Sequence, residues 1–416
     1  MNIMNSKFID NRGILLFPIK NNSFNFNECT VSINHKNVFR GIHINQFDKL
    51  VTCVSGKILD IIINFNEQDE DYLIPQYYYL DPFTELFEIL VKKNHGHAFL
   101  ALEESILIYH FNGNFSDNET KHIHYLDPFI NIKLPINNPF LSEKDQIEHF
   151  IKSIDYVIFG SNGFLGSNII KYLKLENKNY IICPFRLEQL TEINNFLDIY
   201  QPKYIINCAG LTGSPNIFWC DNHKTETIET NITYQLTLAK LCKDKNIHLT
   251  VFGSGGVFDT NKYYTEEEEG NFTNNFYSQA RIYLENIIKN YDNVLYLRVN
   301  YPISSTKSNK NLLTKLLTYQ NIESINLSIT YIDNLFPILF QMIEYNEIGI
   351  CNFTNPGSIN LTEIIDIYNK FTLYEYNKIE STNNNRSLSL LECNKIIKYN
   401  PLNIIDAINE CCSNYK

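Results

Sequence analysis

The sequence lacks any run of about 18 apolar residues, the length that a membrane-spanning helix requires, so a membrane protein is not expected. Its start, MNIMNSKFID, has no apolar core of the kind that a secretion signal needs. The ten cysteines are scattered and form no CxxC pair, which argues against a disulfide framework or zinc ribbon and favours a cytoplasmic compartment. The net charge of −11 argues against general binding of nucleic acid or anionic membranes.

The 416 residues suit two or three domains. The first 140 or so contain short apolar runs between turn signals and predict an all-β sandwich or barrel: 13–18, 50–63, 87–91, 99–102, 106–111 and 130–134. Beyond residue 151, short apolar runs at 156–159, 180–183, 204–207, 249–252 and 294–297 alternate with amphipathic stretches such as 225–243 and 277–290. This alternation predicts βαβ units and a parallel sheet. We therefore expect domains at 1–150 and 154–416.

A strand, a glycine-rich turn and a helix start are predicted around residues 155–166. Gly160 permits a tight turn, Gly163 lets the backbone approach a pyrophosphate, and Gly166 lets the helix pack close to the sheet. The N-terminus of such a helix offers free N–H groups and a partial positive charge to a phosphate. The sequence therefore predicts a dinucleotide site, which includes Asn162, Phe164 and Leu165.

The end of the second predicted strand carries Arg186, where NAD sites usually place an acidic residue that binds the ribose 2′-hydroxyl. An arginine there could instead bind a 2′-phosphate. We therefore expect NADPH as the cofactor, with NADH as the alternative.

The glycine spacing resembles that of the extended short-chain dehydrogenases, which have a Rossmann fold. The resemblance continues in the loop that contains Cys208, Ala209 and Gly210, which it places beside the cofactor. It implies that Ser254, Tyr277 and Arg281 are catalytic, with Tyr277 donating a proton to the substrate oxygen, and that Tyr277 and Arg281 also bind the cofactor. Arg281 stands where the family has lysine, four residues after the tyrosine and on the same helix face. It keeps the positive charge, but its planar group is not interchangeable with an ammonium.

Further segments resemble the dTDP-4-dehydrorhamnose reductases and, more closely, the plant-type UDP-4-keto-6-deoxyglucose 3,5-epimerase/4-reductases: 215–231, 271–278, 297–305 and 352–357. The resemblance implies a UDP-sugar or dTDP-sugar substrate, with Asn231 and Arg298 binding it and residues 298–416 forming the substrate-binding part. Some of these reductases also epimerise in the same domain. Cys220 is the candidate acid/base for that step, with Lys224 as its partner; a small buried hydrophobe is the plainer interpretation of the cysteine.

The N-terminal region resembles dTDP-4-dehydrorhamnose 3,5-epimerase, a cupin (jelly-roll) barrel, on the order and spacing of motifs at 10–13, 40–43, 94–99, 126–135 and 141–145. The resemblance implies that His43 is the base, that Asp145 orients it and that Lys49 stabilises the enolate. It implies further that Tyr109 returns a proton from the opposite face and that the substrate is bound by Arg12, Arg40 and His97.

The predicted function is a bifunctional epimerase/reductase that makes a UDP-6-deoxy-L-hexose: UDP-L-rhamnose or its 2-acetamido analogue. Two rival hypotheses remain: a reductase whose barrel only mediates dimerisation, and an NADP-binding regulatory subunit without catalysis. No metal is expected, because the epimerase relatives work without one, although His43, His95 and His97 could form a metal site as in many cupins. Barrels of this type usually pair, so we expect a homodimer.

Overall fold

The computed structural model describes residues 6–11, 13–17, 25–113, 121–146, 149–214, 216–260, 262–373, 379–381, 387 and 389–416. The chain divides into two compact units, Met1–Lys152 and Ser153–Lys416. Among the described residues, no helix combines the length and the apolar character needed to cross a membrane.

The N-terminal unit is built from strands, and no helix of four or more residues occurs among its described residues. The strands are β1 (Ser6–Asp10), β2 (Gly13–Phe17), β3 (Glu28–Asn34), β4 (Phe39–Ile44), β5 (Lys49–Ser55), β6 (Ile58–Asn64), β7 (Pro75–Leu80), β8 (Glu88–Val91), β9 (His95–Ala101), β10 (Ser105–Phe111) and β11 (Lys121–His122). They form a β1–β2 hairpin, a four-stranded sheet in the order β3-β10-β5-β8 and a five-stranded sheet in the order β11-β4-β9-β6-β7. All strand pairs in this unit are antiparallel.

Buried apolar side chains form two core clusters in this unit, and the strands β6 and β9 contribute alternate residues to both, so the five-stranded sheet is covered on both faces. The predicted apolar run 50–63 is two strands, because Gly56 has a φ of +73° and turns the chain between them. The prediction of a strand at 130–134 was wrong. That stretch is irregular, and Asn131 at its start has a φ of +57°, which a strand does not accommodate.

The C-terminal unit alternates strands and helices in its first part. Its strands are β12 (Tyr156–Phe159), β13 (Tyr180–Ile182), β14 (Tyr204–Asn207), β15 (His248–Phe252), β16 (Tyr263–Tyr264), β17 (Val294–Val299), β18 (Asn321–Glu323), β19 (Asn326–Leu327), β20 (Gly349–Phe353), β21 (Ile359–Asn360), β22 (Ile379–Ser381) and β23 (Leu390–Leu391). Its helices are α1 (Phe164–Leu175), α2 (Leu190–Tyr200), α3 (Trp219–Asn222), α4 (Lys224–Ile228), α5 (Tyr234–Asp244), α6 (Phe276–Ile288), α7 (Leu312–Thr318), α8 (Ile332–Glu344), α9 (Leu361–Asn369) and α10 (Ile404–Ser413).

Six parallel strands form the main sheet of this unit in the order β13-β12-β14-β15-β17-β20. The strand β12 lies between β13 and β14, so the chain leaves it in one direction across the sheet and later returns to its other side. This reversal is the topological switch point, where open α/β sheets bind their ligands at the carboxyl ends of the strands. The glycine-rich turn follows β12 at that position.

The predicted helix at 225–243 is interrupted by a π-helical turn at Glu229–Thr233 between α4 and α5. Such turns often mark functional positions, and this one contains Asn231. Beyond β17, short two-stranded sheets and the helices α7, α9 and α10 surround a separate apolar cluster that includes Leu313 and Ile408. This part corresponds to the predicted substrate-binding region.

Candidate active sites

A cleft of about 400 Å³ opens in the N-terminal unit and is lined by residues from both sheets. It brings together five of the residues that the sequence predicted for this site: Arg40, His43, Lys49, His97 and Tyr109. Arg12, predicted to bind substrate, lies outside the described residues. The strands β4, β5, β9 and β10 carry these five side chains, because alternate residues of each strand face the same side of the sheet.

His43 and Asp145 form a hydrogen-bonded pair in this cleft, with 2.8 Å between His43 Nε2 and Asp145 Oδ1. Ser142 holds the other carboxylate oxygen, since its hydroxyl donates to Asp145 Oδ2 at 2.9 Å. Burial acts to raise the pKa of Asp145, but the hydrogen bonds and charge of His43 outweigh it and keep that pKa below its ordinary value. Asp145 is therefore an ionised, fixed partner for the imidazole.

Lys49 is almost completely buried in the cleft wall. Burial lowers its pKa to about 8, and the negative charge of Asp60 partly opposes that effect. Asp60 also accepts a hydrogen bond of 2.7 Å from His97 Nε2. Asp60 was not among the predicted site residues, although a carboxylate within the apolar run 58–63 of β6 is a recognisable signal of a buried polar contact.

Tyr109 stands against His97, with 6.4 Å between the ring centroids and a nearly perpendicular arrangement. Burial raises the pKa of Tyr109 well above its ordinary value, so the phenol keeps its proton. Arg40 is exposed at the cleft and donates from Nε to Asn34 Oδ1 at 2.8 Å, which leaves its two terminal nitrogens directed elsewhere. The cleft therefore combines a histidine–carboxylate pair, a buried ammonium, a protonated phenol and a surface guanidinium.

The alternative metal set of His43, His95 and His97 is not assembled. His97 is bonded to Asp60, and His95 Nδ1 lies 3.2 Å from the Lys93 carbonyl oxygen. His122, which the sequence analysis missed, instead lies edge-to-face against His43, with 4.7 Å between the ring centroids. No motif marks His122, and only the pairing of β11 with β4 brings it to the cleft.

The glycine-rich turn in the C-terminal unit has the geometry that the sequence predicted. Gly160 has a φ of +68°, and a Cβ there would lie 2.5 Å from the Ala209 backbone nitrogen. A Cβ on Gly166 would lie 2.2 Å from the Gly160 carbonyl oxygen, so this glycine is needed for close packing. A Cβ on Gly163 would contact only that same oxygen, at 3.4 Å. The internal packing therefore leaves room at Gly163, the N-cap of α1, where the backbone would meet a phosphate.

The neighbouring residues of the turn divide between solvent and core. Asn162 is exposed, whereas Phe164 and Leu165 pack partly against the main apolar cluster beneath the sheet. Arg186 is exposed in the loop four residues after the end of β13, and its backbone nitrogen donates to Gln189 Oε1 at 3.0 Å. Its side chain is therefore available at the sheet edge where the adenosine ribose of a dinucleotide lies in this fold.

Tyr277 and Arg281 lie one turn apart on α6, and the guanidinium carbon is 5.3 Å from the centre of the tyrosine ring. Arg281 is buried beside the loop after β14, since a Cβ on Gly210 would lie 2.8 Å from Arg281 Nη2. Among the described residues, Arg281 Nε and Nη1 have no hydrogen-bond partner. A buried N–H donor without a hydrogen-bond partner raises the free energy of the folded protein, so these two donors are suited to a ligand that supplies acceptors. The hydroxyl oxygens of the ribose of a nicotinamide cofactor are such acceptors.

Ser254 follows β15, and its hydroxyl accepts a hydrogen bond of 3.1 Å from the Gly256 backbone nitrogen. It is half-buried at the carboxyl edge of the same sheet from which the glycine turn emerges. The loop of Cys208, Ala209 and Gly210 follows the adjacent strand β14, with Ala209 N donating to Asn207 Oδ1 at 3.0 Å. The predicted cofactor residues therefore lie on neighbouring strand ends.

Asn231 and Arg298, the two residues of this unit that were predicted to bind substrate, are both buried and bonded to other residues of the protein. Asn231 is fully buried, and its side-chain amide spans the backbone N–H and carbonyl of Leu211 at 2.8 and 2.7 Å. It therefore holds the loop after β14 in place.

The prediction that Arg298 binds substrate was wrong, because its side chain is 1% exposed and pairs with Glu285 in the interior. Its remaining donors bond to the Thr265 and Glu268 carbonyls and to Asn352.

Cys220 is fully buried on the short helix α3. Burial opposes a charged Arg281, but the nearby Tyr277, Tyr296 and Cys220 raise the pKa of Arg281 above its ordinary value. The thiol thus lies close enough to interact with that guanidinium. Lys224, the predicted partner of Cys220, is exposed and has its ammonium 5.3 Å from the centre of the Phe276 ring.

The fold and these sites define an NAD(P)-dependent Rossmann enzyme joined to an antiparallel β unit with a histidine–aspartate cleft. Each of the two units is similar to a known protein family. Residues 1–153 match the dTDP-4-dehydrorhamnose 3,5-epimerase family, and residues 156–305 match the NAD-dependent epimerase/dehydratase family. A bifunctional dTDP-4-dehydrorhamnose 3,5-epimerase/dTDP-4-dehydrorhamnose reductase of Arabidopsis thaliana is 36% identical over 53% of this chain and 76% of its own length. The chain therefore belongs to the family of nucleotide-sugar epimerase/reductases.

Two further relatives bear on this assignment. A trifunctional UDP-glucose 4,6-dehydratase/UDP-4-keto-6-deoxy-D-glucose 3,5-epimerase/UDP-4-keto-L-rhamnose-reductase of Arabidopsis thaliana is 35% identical over 53% of this chain, but over only 34% of its own length. The chain thus spans about a third of that longer relative. The crystal structure of the L780 UDP-rhamnose synthase from Acanthamoeba polyphaga mimivirus is 25% identical, with a TM-score of 0.60, and covers 63% of this chain and all of that one.

Proposed function

We propose that this chain converts a UDP-4-keto-6-deoxyhexose to a UDP-6-deoxy-L-hexose by epimerising it in the N-terminal unit and reducing it in the C-terminal unit. The observation that carries the proposal is that one chain holds both the His43–Asp145 cleft and the Tyr277–Arg281 pair beside a dinucleotide turn. Incubation with NADPH and either UDP-4-keto-6-deoxyglucose or its 2-acetamido analogue tests it. NMR of the product identifies the sugar and the inverted centres.

Epimerisation begins with removal of the proton from the carbon next to the ketone. His43 accepts that proton, and the C–H electron pair moves to the carbonyl oxygen as an enolate. Asp145 stabilises the imidazolium because it is ionised and fixed. The ammonium of Lys49, buried in the cleft wall, interacts with the enolate oxygen more strongly than it would in water.

Inversion requires a proton from the opposite face of the sugar. The phenol of Tyr109 retains its proton because burial raises its pKa, and it lines the same cleft as His43. It transfers that proton to the enolate carbon as the carbonyl re-forms. Arg40, exposed at the cleft with two terminal nitrogens free of Asn34, is suited to the diphosphate of the substrate. His97, held by Asp60, then contacts the sugar as a fixed donor or acceptor.

Reduction needs a hydride on the ketone carbon and a proton on its oxygen, and the bound nicotinamide supplies the hydride. Tyr277 donates the proton, and Ser254 hydrogen-bonds the same oxygen. Arg281 places its buried positive charge and two unpaired N–H groups beside the phenol, so it stabilises the phenolate and binds the ribose hydroxyls. The turn from Gly160 to Gly166 and the loop from Cys208 to Gly210 position the cofactor.

NADPH is the proposed form of the cofactor because of Arg186. This residue is exposed in the loop after β13, where an acidic side chain would repel a 2′-phosphate and an arginine attracts one. Comparison of the KM values for NADPH and NADH tests this choice. A regulatory subunit without catalysis is the alternative that tight NADPH binding with no turnover of a keto-sugar would favour.

We propose that a pocket of about 490 Å³ in the C-terminal unit binds the UDP moiety of the substrate. Its wall includes Tyr301, two residues after the end of β17, together with Lys310, Lys315 and Tyr319 and one carboxylate, Glu323. Two ammonium groups match a diphosphate, and two phenol rings offer faces on which a uracil can stack. This pocket takes the role that the sequence analysis had given to Arg298.

We assign the N-terminal unit a cupin jelly-roll, which its two antiparallel sheets support. We further propose that it forms a homodimer through β3, an edge strand of the described four-stranded sheet. Val31 and Ile33 on that strand are 58% and 73% exposed, and both border the cleft. Sedimentation of the V31E/I33E double variant tests whether these residues hold two copies together.

A second candidate function is epimerisation in the C-terminal unit. The observation that favours it is the buried thiol of Cys220, which lies close enough to interact with the guanidinium of Arg281. In that case the barrel would serve only for dimerisation. Solvent deuterium exchange that is lost in C220S and unchanged in H43A would establish this candidate.

A further inference from the structure

His43, His122 and Asp145 each offer one potential metal-ligand atom, and the three atoms lie within 4.8 Å of one another. Of the described residues, only these three form such a group. Two histidines and one carboxylate on one side of an ion leave its other positions open. We propose that this trio binds a divalent transition-metal ion of the zinc class, and that the bound ion switches off epimerisation.

The backbone brings the two histidines together independently of any ligand. His122 on β11 is paired directly opposite His43 on β4, and residues opposite each other in an antiparallel pair have side chains about 5 Å apart. Asp145 comes from the loop that follows and is tied at its other oxygen to Ser142. All three groups are therefore held by the fold before an ion arrives.

His122 also has an unused ligand atom. Its Nδ1 is buried and has no hydrogen-bond partner within the part of the chain that the structure describes. A buried imidazole that only packs against its neighbours would normally satisfy that nitrogen. The unpaired atom beside a histidine–carboxylate pair therefore points to a ligand, and the two imidazoles and one carboxylate are the donor types that Zn²⁺ accepts.

The distances require little movement. In a tetrahedral site, metal–ligand bonds of about 2.1 Å place neighbouring ligand atoms about 3.4 Å apart, so closure from 4.8 Å needs a shift of up to about 1.4 Å. The ion would enter between His43 Nε2 and Asp145 Oδ1, now joined by a hydrogen bond of 2.8 Å. It would replace the proton that this bond contains.

Inhibition follows from the ligand set and rests on the proposed role of His43 as the base. Because Nε2 of His43 is bonded to Asp145, the nitrogen that accepts the substrate proton is Nδ1. When the ion binds Nε2, the displaced proton moves to Nδ1, so neither nitrogen keeps a lone pair for the substrate proton. The reductase site contains none of these three residues, so reduction of an already epimerised ketone is unaffected by the ion. The proposal therefore predicts a protein in which metal separates the two activities.

Binding is measured first, without any assay of activity. The full-length protein, stripped with a chelator, is titrated with Co²⁺ while its visible absorption is recorded. We expect one Co²⁺ per chain with d–d bands, and affinity weakened at least about tenfold in H122Q. The control H35Q removes a histidine exposed on the same unit and is expected to bind Co²⁺ as the wild type does. Absence of the bands, or equal affinity in H122Q, would overturn the metal site.

Activity then separates this proposal from the proposed function. Zn²⁺ should suppress solvent deuterium exchange into the keto-sugar in the wild type, and H122Q should retain exchange and resist Zn²⁺. If Co²⁺ binds through His122 but no condition yields exchange, the site stands and the epimerase assignment fails. If exchange occurs and Zn²⁺ inhibits H122Q as strongly as the wild type, the switch is refuted and the epimerase assignment stands.

Discussion

His43 and Asp145 are 102 residues apart in the chain, yet His43 Nε2 lies 2.8 Å from Asp145 Oδ1. The pair forms because the segment after β11 folds back onto the unit and presents Asp145 beside β4. Ser142 fixes the carboxylate from the other side. The base of the proposed epimerase is therefore completed only when the last part of the unit is in place.

Replacement of Asp145 by asparagine is expected to reduce the rate of solvent deuterium exchange by about 10- to 100-fold. Asparagine keeps the shape but cannot balance the charge of the imidazolium. Replacement of Ser142 by alanine is the matched control, because it leaves the charge in place and removes one hydrogen bond. NMR of exchange in D₂O measures both rates. Equal losses in the two variants would contradict the charge-balancing role of Asp145.

Lys49 gives the epimerase a definite pH dependence. Its pKa is lowered to about 8, so the ammonium is lost and exchange should slow as the pH rises through about 8. In K49R the charge persists to much higher pH, so any remaining activity should not show this decline. Rates of exchange between pH 6 and 10 provide the measurement. A decline of the same shape in K49R would show that another group is responsible.

The same pKa shift predicts a stability effect. The unfolded chain binds the lysine proton more tightly than the folded protein does, since the ordinary pKa is 10.5 and the folded one is about 8. The contribution of Lys49 to the free energy of unfolding should therefore increase as the pH rises from about 8 to 10.5. Denaturant unfolding of wild type and K49M over this range measures it. A difference between the two proteins that is independent of pH would contradict the shift.

Tyr277 and Arg281 are expected to affect reduction differently. Y277F removes the proton donor, so NADPH oxidation with an epimerised ketone should slow by about 10²- to 10⁴-fold while cofactor binding is retained. R281M removes the buried cation and its unpaired donors, so it should weaken cofactor binding as well. R281K should recover part of both properties. Fluorescence titration with NADPH and steady-state rates measure the two effects, and loss of cofactor binding in Y277F would contradict the assignment.

Arg186 is expected to set the cofactor preference. R186A should raise the KM for NADPH by roughly 10-fold or more, the loss of one charge-assisted contact, and change the KM for NADH little. Steady-state kinetics with both cofactors measure this. If the two KM values shift together, Arg186 does not bind the 2′-phosphate.

Arg298 should behave as a stability residue. R298M leaves Glu285 buried without its partner and is expected to lower the free energy of unfolding by about 3–5 kcal/mol. The double variant R298M/E285Q removes the stranded charge and should recover part of that loss. Urea unfolding provides the measurement. A raised KM for the nucleotide-sugar with unchanged stability would restore the substrate-binding interpretation.

The sequence predicted the parallel sheet best. The strands β12 and β14 begin and end at the residues predicted, because strands buried on both faces are continuous apolar runs bounded by polar residues. In the N-terminal unit, the strands β3, β4 and β7 were missed, since each has polar or exposed residues that interrupt an apolar run. The apolar residues of 130–134 pack on the core without forming a strand.

The candidate sites show the same division. The order of the motifs in the sequence predicted His43, Lys49, Tyr109 and Asp145 as site residues. In the structure, His43, Lys49 and Tyr109 line one cleft, and Asp145 is hydrogen-bonded to His43. His122 could not be found this way, because its position depends on the register of β11 against β4. Nor does a sequence show which arginine is buried. Arg298 and Arg281 both lie in the interior, but within the described part of the chain only Arg298 has a carboxylate partner there.

The most direct test of the two-site account is the H43A variant in D₂O with NADPH and UDP-4-keto-6-deoxyglucose. We predict that deuterium incorporation next to the ketone falls to background, while the same variant still oxidises NADPH at the wild-type rate when supplied with the epimerised ketone. Deuterium incorporation by H43A at the wild-type rate would contradict the assignment of epimerisation to the N-terminal cleft.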